Sequence, residues 1–289
     1  MIDAHAHLWL KQDGRVNGLP VYDVGGGRSQ FGNEVRQMLP PAMTDGVNSA
    51  ERFLAHMDFS RVGGAVITQE YIDGNQDAYL REVRKKYPDR FRVCALYEEK
   101  GVPDTEGMDG IKICGGRLAD PDLTHHAEVF READRRGLFI GIDLADGDLQ
   151  TDALRELAQT YPGLRIAIGH FGMVTRAGWL EQIRLALLPN VWIESGGITW
   201  LYNAEFYPYP SAVMAILVAR DICGIEKLMW GSDYPRTMTA ITYRMSWDFI
   251  GKSPLMPEEE KQRFLHANAH AFYRFGELPE LPVIHHMAE

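Results

Sequence analysis

Residues 1–10 read Met-Ile-Asp-Ala-His-Ala-His-Leu-Trp-Leu, and the interpretation of the whole chain turns on them. From Ile2 to Leu8 polar and apolar residues alternate, with Asp3, His5 and His7 on one face and Ile2, Ala4, Ala6 and Leu8 on the other. Alternation with period two is the signature of a β-strand. Two imidazoles two residues apart then point the same way. Such a strand is half of a metal site if later segments bring the remaining ligands. It is otherwise a half-exposed strand with two polar residues.

Outward from this strand, residues 11–47 show no sustained period and carry Pro20, Gly25-Gly26-Gly27 and Pro40-Pro41. A long loop leaving directly from a candidate site is a candidate lid. The glycine run lacks the Gly-Lys-Ser/Thr of a phosphate loop and is read as a flexible turn. A regular rhythm follows. Strands are expected at 63–69, 91–97, 110–114, 138–144, 164–168, 191–194 and 227–231. Helices are expected at 49–60, 75–87, 123–136, 149–161, 176–187, 211–223 and 257–275. Gly137 stands where a helix ends on a left-handed residue, and Glu258 to Glu260 lie in the first turn of the last helix, where the dipole favours them.

Counting the opening segment, there are eight short strands, most followed by a helix. That alternation implies parallel strands covered on both faces. Eight units in 289 residues suit an α/β fold of the closed (β/α)8 TIM-barrel type, a single domain over 1–289 with 11–47 as a long loop after the first strand. A dinucleotide fold would need Gly-x-Gly-x-x-Gly after the first strand, and the chain has none there.

Composition narrows the partners. The chain has 30 Lys and Arg against 40 Asp and Glu, a formal net charge of −10. That balance and the lack of a basic cluster argue against nucleic acid and against anionic membrane surfaces. Cys94, Cys114 and Cys223 are widely spaced, odd in number and set in apolar runs, so each reads as a small buried hydrophobe in a reducing compartment. Without a signal-like start or an apolar run of about 20 residues, a soluble cytoplasmic protein is expected.

Barrel enzymes carry their chemistry at the C-terminal ends of the strands. In order, those ends offer His5 and His7, Gln69 and Glu70, Tyr97 and Glu98, Lys112, Asp143, His170, Glu194 and Ser195, and Asp233. Three imidazoles and a carboxylate form an N/O set that suits zinc or manganese with room for a water. Each of these residues also has a structural reading, as a polar strand end or a cap.

The motifs Ile-Asp-Ala-His-Ala-His-Leu-Trp at the start, Ile-Gly-His-Phe-Gly at 168–172 and Trp-Gly-Ser-Asp-Tyr-Pro at 230–235, with Asn268-Ala269 near the end, resemble the amidohydrolase-related (amidohydrolase 2) family. Gly-Ile-Asp-Leu at 141–144 and Pro-Asn-Val-Trp-Ile-Glu-Ser-Gly-Gly at 189–197 are similar to its lactonase-like branch. The resemblance implies a distorted barrel with a site formed by His5, His7, His170 and Asp233. Many members close their fifth strand with a histidine, where this chain has Asp143, and binuclear members carry a carbamylated lysine on the fourth strand, where this chain has Lys112. The departure points to one divalent metal ion, zinc or manganese, or to none. Lys112 is then a cation near the substrate or a partner of Asp143.

These readings lead to a hydrolase for a small carboxylic ester, a lactone of a sugar acid or dicarboxylate, with Asp233 and His170 as catalytic groups. A metal held by His5, His7, His170 and Asp233 would activate water, and Lys112, Asp143 and Arg236 would bind substrate. For Arg236 the competing reading is a surface ion pair. The alternatives are a metal-dependent non-oxidative decarboxylase and a barrel that binds a small ligand without turnover. His125 and His126 are expected at the surface, His266 and His270 in helix packing, and His285 and His286 in an uninformative tail. Trp200, Tyr202, Phe206, Tyr207 and Tyr209 could wall a pocket or form the contact of a homo-oligomer.

Overall fold

The computed structural model describes residues 1–285 and 287, so His286 lies outside the described residues. Strand β1 (Ile2–Ala6) is followed by four short strands that stand apart, β2 (Asp13–Val16), β3 (Leu19–Gly25), β4 (Arg28–Phe31) and β5 (Glu34–Gln37). Seven more strands then alternate with helices: β6 (Gly64–Ile67), β7 (Phe91–Leu96), β8 (Gly110–Ile113), β9 (Phe139–Ile142), β10 (Arg165–Ile168), β11 (Val191–Glu194) and β12 (Leu228–Met229). β1 and β6 to β12 form one parallel eight-stranded sheet in sequence order. The last strand returns to the first. Ala4 N–H donates to the Trp230 carbonyl (2.9 Å), Asp233 N–H to that of His5 (2.8 Å) and His7 N–H to that of Tyr234 (2.8 Å). The result is a single α/β barrel, as the rhythm implied.

Helices on the outside cover the sheet, so the barrel strands are buried along nearly their whole length. This rules out the half-exposed alternative for β1: both of its faces are buried, and Asp3, His5 and His7 are at most 2% exposed. Buried polar groups need partners. Asp3 finds four, accepting from His5 N–H (3.1 Å), Ser232 N–H (2.8 Å), Ser232 Oγ (2.5 Å) and the Tyr243 hydroxyl (2.9 Å). Burial pushes its pKa up to about 7 while those donors pull it down. Asp3 thus pins the seam between β1 and the segment after β12.

The stretch 11–47 is the clearest correction. It holds an antiparallel four-stranded sheet in the order β2-β3-β4-β5. Gly25, Gly26 and Gly27 turn β3 into β4, all with positive φ. These strands are short and largely exposed, β5 along its full length, so no core imposes a pattern on them.

Elsewhere the boundaries fall close to expectation. Ser49 caps the helix Ala50–Phe59 by accepting from Arg52 N–H (3.4 Å), and Gly137 ends Ala127–Arg136 at φ 67°. The helix expected at 176–187 shortens to Trp179–Arg184 with a 3-10 turn after it, since Gly178 takes the left-handed conformation. Helices Ile198–Leu201 and Met245–Gly251 were not anticipated.

His126 is a second correction. It is buried, its ring held between the Tyr97 hydroxyl (2.8 Å) and the Asp120 carbonyl (3.0 Å), whereas His125 is exposed beside Asp120. His266 and His270 lie on the last helical segment with ring centroids 5.5 Å apart. The three cysteines are buried and free. Among the described residues no helix is long and apolar enough to cross a membrane.

Candidate active site

The C-terminal ends of the barrel strands open into a cavity of about 670 Å³. His7, Asp143, His170, Trp200, Asp233 and Arg236 line it on the barrel side, while Phe31, Arg36 and Met38 reach in from the small sheet. Arg236 is therefore a cavity residue, not a surface ion pair. Lys112 lies beneath, buried in the barrel, and is absent from the cavity wall.

At the seam, three ligand atoms converge. The Nε2 atoms of His5 and His7 are 3.1 Å apart, and Asp233 Oδ1 is 3.1 Å from the second and 3.9 Å from the first. Donors about 2.1 Å from one ion at tetrahedral angles stand roughly 3.4 Å from each other, so the corner has the right size for zinc. The far nitrogens point the same way. His5 Nδ1 is hydrogen-bonded to Glu194 Oε1 at 2.7 Å, and His7 Nδ1 lies 3.0 Å from Asp73 Oδ2, at ion-pair distance without hydrogen-bond alignment. A carboxylate behind Nδ1 draws the ring proton there and leaves Nε2 with its lone pair forward, the arrangement metal-bound histidines show. Two such lone pairs at 3.1 Å need a positive charge between them, a proton or a cation. Asp233 Oδ1 is moreover buried without a hydrogen-bond partner. The residues fit a divalent metal ion.

Electrostatics follow from burial and neighbours. Burial lowers the pKa of His5, partly offset by Glu194. For His7, burial and Arg236 oppose charging, but Asp233 and Asp73 outweigh them and raise it. Burial favours the neutral acid of Asp233, yet His7 and Arg236 hold it ionised. Trp200 Nε1 donates to Asp233 Oδ2 at 2.7 Å and fixes the carboxylate plane. Asp233 itself has φ 58°, an uncommon value for a residue with a side chain, retained by its N–H bond to His5.

His170 stands next to this corner, its ring centroid 4.7 Å from that of His5. Its Nδ1 donates to the Gly196 carbonyl (2.8 Å), and its Nε2 is 3.6 Å from Asp143 Oδ2. Burial disfavours its cation, but Asp143, Asp233 and Glu194 prevail and raise its pKa to about 10. Lys112 Nζ is 2.5 Å from Asp143 Oδ1, so of the two readings for Lys112 the geometry realises the partnership with Asp143. Despite burial, Lys112 and His170 hold Asp143 well below the usual carboxylate range. His5, Asp143 and His170 also form a three-ligand group, but the Lys112 ammonium already occupies one oxygen of Asp143.

Small residues make this crowding possible. A Cβ on Gly196 would meet the His5 ring at 2.7 Å, and one on Gly231 would meet Glu194 Oε2 at 2.7 Å. Two carboxylates were missed as site residues. Glu194 was visible as the polar end of the seventh barrel strand, though nothing assigned it to His5. Asp73 lies in the irregular turn after β6 and gave no signal.

A family model described as Amidohydrolase matches residues 2–275. No curated protein sequence matches the chain. Among solved structures, a probable 2-pyrone-4,6-dicarboxylic acid hydrolase from Acinetobacter baumannii with citric acid bound is 20% identical over 95% of this chain and 99% of that one, with a TM-score of 0.68. An amidohydrolase from Burkholderia multivorans with bound zinc is 15% identical over the same shares, with a TM-score of 0.68. A 5-carboxyvanillate decarboxylase from Novosphingobium aromaticivorans, complexed with manganese and a nitrobenzoic acid, is 19% identical over 78% of this chain and 80% of that one, with a TM-score of 0.56. At these identities the likeness is one of fold.

Proposed function

The chain belongs to the amidohydrolase family, and from that premise we propose that this enzyme hydrolyses small carboxylic esters, in particular a lactone of a sugar acid or dicarboxylate. One observation carries the proposal: a corner of two forward-facing imidazoles and a carboxylate opens onto the same cavity as the guanidinium of Arg236.

His5, His7 and Asp233 would hold a divalent ion, zinc or manganese, with His170 beside it. Bound there, such an ion supplies Lewis acidity to a carbonyl oxygen and lowers the pKa of water towards neutrality. The residues themselves divide the remaining work. Asp233, ionised and oriented by Trp200, takes the proton of the attacking water and returns it to the leaving ring oxygen. His170, charged near neutral pH, donates from Nε2 to the carbonyl oxygen as negative charge develops. Arg236 offers a planar two-pronged fit to a substrate carboxylate. Asp143 at the wall accepts from a substrate hydroxyl, with Lys112 behind it as counter-charge.

The fold shared with a manganese-bound decarboxylase supports a second reading, loss of CO₂ from an aromatic carboxylate. One panel separates the two. Purified protein supplied with zinc or manganese is offered sugar-acid and dicarboxylate lactones, followed by proton release, and hydroxylated aromatic acids, followed by CO₂. Lactone opening is expected. CO₂ release without lactone turnover would replace the first reading with the second.

A further inference from the structure

Asp73 does not line the cavity, yet it is 1% exposed and touches two residues that do. Its Oδ2 faces His7 Nδ1 at 3.0 Å, and its Oδ1 accepts from Arg236 Nη2 at 2.5 Å. Arg236 has a second carboxylate within reach: its Nη1 lies 3.7 Å from Asp233 Oδ1. That oxygen is the one the cation would need, and it is buried without a hydrogen-bond partner. A guanidinium so close to two carboxylates goes to whichever binds it better. Here the short bond is to Asp73.

We propose that Asp73 is a positioning residue of the metal site, which orients His7 and holds Arg236 off Asp233 so that Asp233 Oδ1 stays open to a cation. The role rests on the metal reading of the His5, His7 and Asp233 corner, not on the lactone reading. The backbone is built to hold Asp73 in place. Its N–H donates to the Glu70 carbonyl (2.9 Å), and its own carbonyl accepts from Asp13 N–H (3.3 Å) and Gln76 Nε2 (3.0 Å). Without the Asp73 carboxylate, His7 loses the negative charge that faces its Nδ1. Arg236 loses its partner and is left with Asp233, where its charge competes directly with a metal ion.

The two effects separate in a cycle of variants read by zinc affinity alone, measured on metal-stripped protein by competition with a chromophoric chelator. Asp73→Ala is expected to weaken zinc binding by about 10–100-fold, as removal of a carboxylate behind a metal-bound histidine does. Adding Arg236→Met to Asp73→Ala is expected to restore severalfold of that loss, because no guanidinium then competes for Asp233. A purely structural contribution of Asp73 would let Arg236→Met improve zinc binding no more in the Asp73→Ala background than in the wild type, so Arg236→Met alone completes the cycle. Asn75→Ala, in the same loop but bonded to Glu98, controls for loop damage and should leave zinc affinity within twofold. Unchanged affinity in folded Asp73→Ala protein would overturn the role, and so would a double variant no better than Asp73→Ala. A wild-type chain that binds neither zinc nor manganese would overturn the metal reading and this role together, whatever the lactone panel shows.

Discussion

The seam between β1 and the end of β12 and the small sheet β2 to β5 face each other across one cavity, and they are built on opposite principles. At the seam His5, His7, Asp73, Glu194 and Asp233 are all buried, and each is held by partners from at least one distant segment. In the small sheet β5 is exposed throughout, and Arg36 is held only locally, by Glu34 (2.6 Å) and by stacking 4.3 Å over Phe31. Buried, mutually dependent charges fix geometry to a few tenths of an ångström, which chemistry requires. An exposed rim side chain adds binding without precision. Under the proposed function, the seam would carry the reaction and the sheet would contribute only to selection.

The sharpest way to break this contrast is at Asp233. Asp233→Asn keeps the shape but removes the base, and lactone turnover is expected to fall by about 10²–10⁴-fold with the fold intact by circular dichroism. A rate near that of the wild type would sink the role given to the seam. Next comes the ion pair beneath the cavity. Lys112→Met strands the Asp143 charge in the barrel and should cost about 3–5 kcal/mol in denaturant unfolding, the usual effect of removing one partner of a buried pair.

Acid should reveal the same pairs. Asp143 and Asp233 have folded pKa values depressed below 3.8, so the unfolded chain takes up protons first as the pH falls. The stability they contribute is complete above about pH 4 and is lost below it. An unfolding series between pH 5 and pH 2 should show this limb, and Asp143→Asn should make it shallower. The smallest effects belong to the sheet. Arg36→Ala is expected to raise KM by no more than about fivefold with kcat unchanged, as loss of an exposed ionic contact worth up to about 1 kcal/mol would do. A collapse of kcat in Arg36→Ala would erase the distinction between the two regions.

The same contrast explains what could be read from the sequence. Barrel strands and helices announce themselves because each must bury apolar residues at its own period, and His5, His7, His170 and Asp233 sit next to those periodic segments at strand ends. The small sheet was invisible because strands such as Glu34–Gln37, exposed on both sides, bury nothing that would impose a pattern. Asp73 was invisible for another reason. Its place beside His7 depends on how the turn after β6 folds back between β1 and the Arg236 segment, a tertiary fact with no local periodicity. His126 was expected at the surface with His125 because the two open a helix, yet its ring turns inward onto Tyr97. The exchange of a histidine for Asp143 was legible as a letter and its pairing with Lys112 as one of two readings, and only the closed barrel decided between them.

The most direct test of the central claim is elemental analysis of the purified protein combined with activity before and after chelator treatment. The expected result is one equivalent of zinc or manganese per chain, with lactone hydrolysis lost on stripping and regained on adding the ion back. Full activity in protein that contains no metal would contradict the assignment of His5, His7 and Asp233 as a cation site.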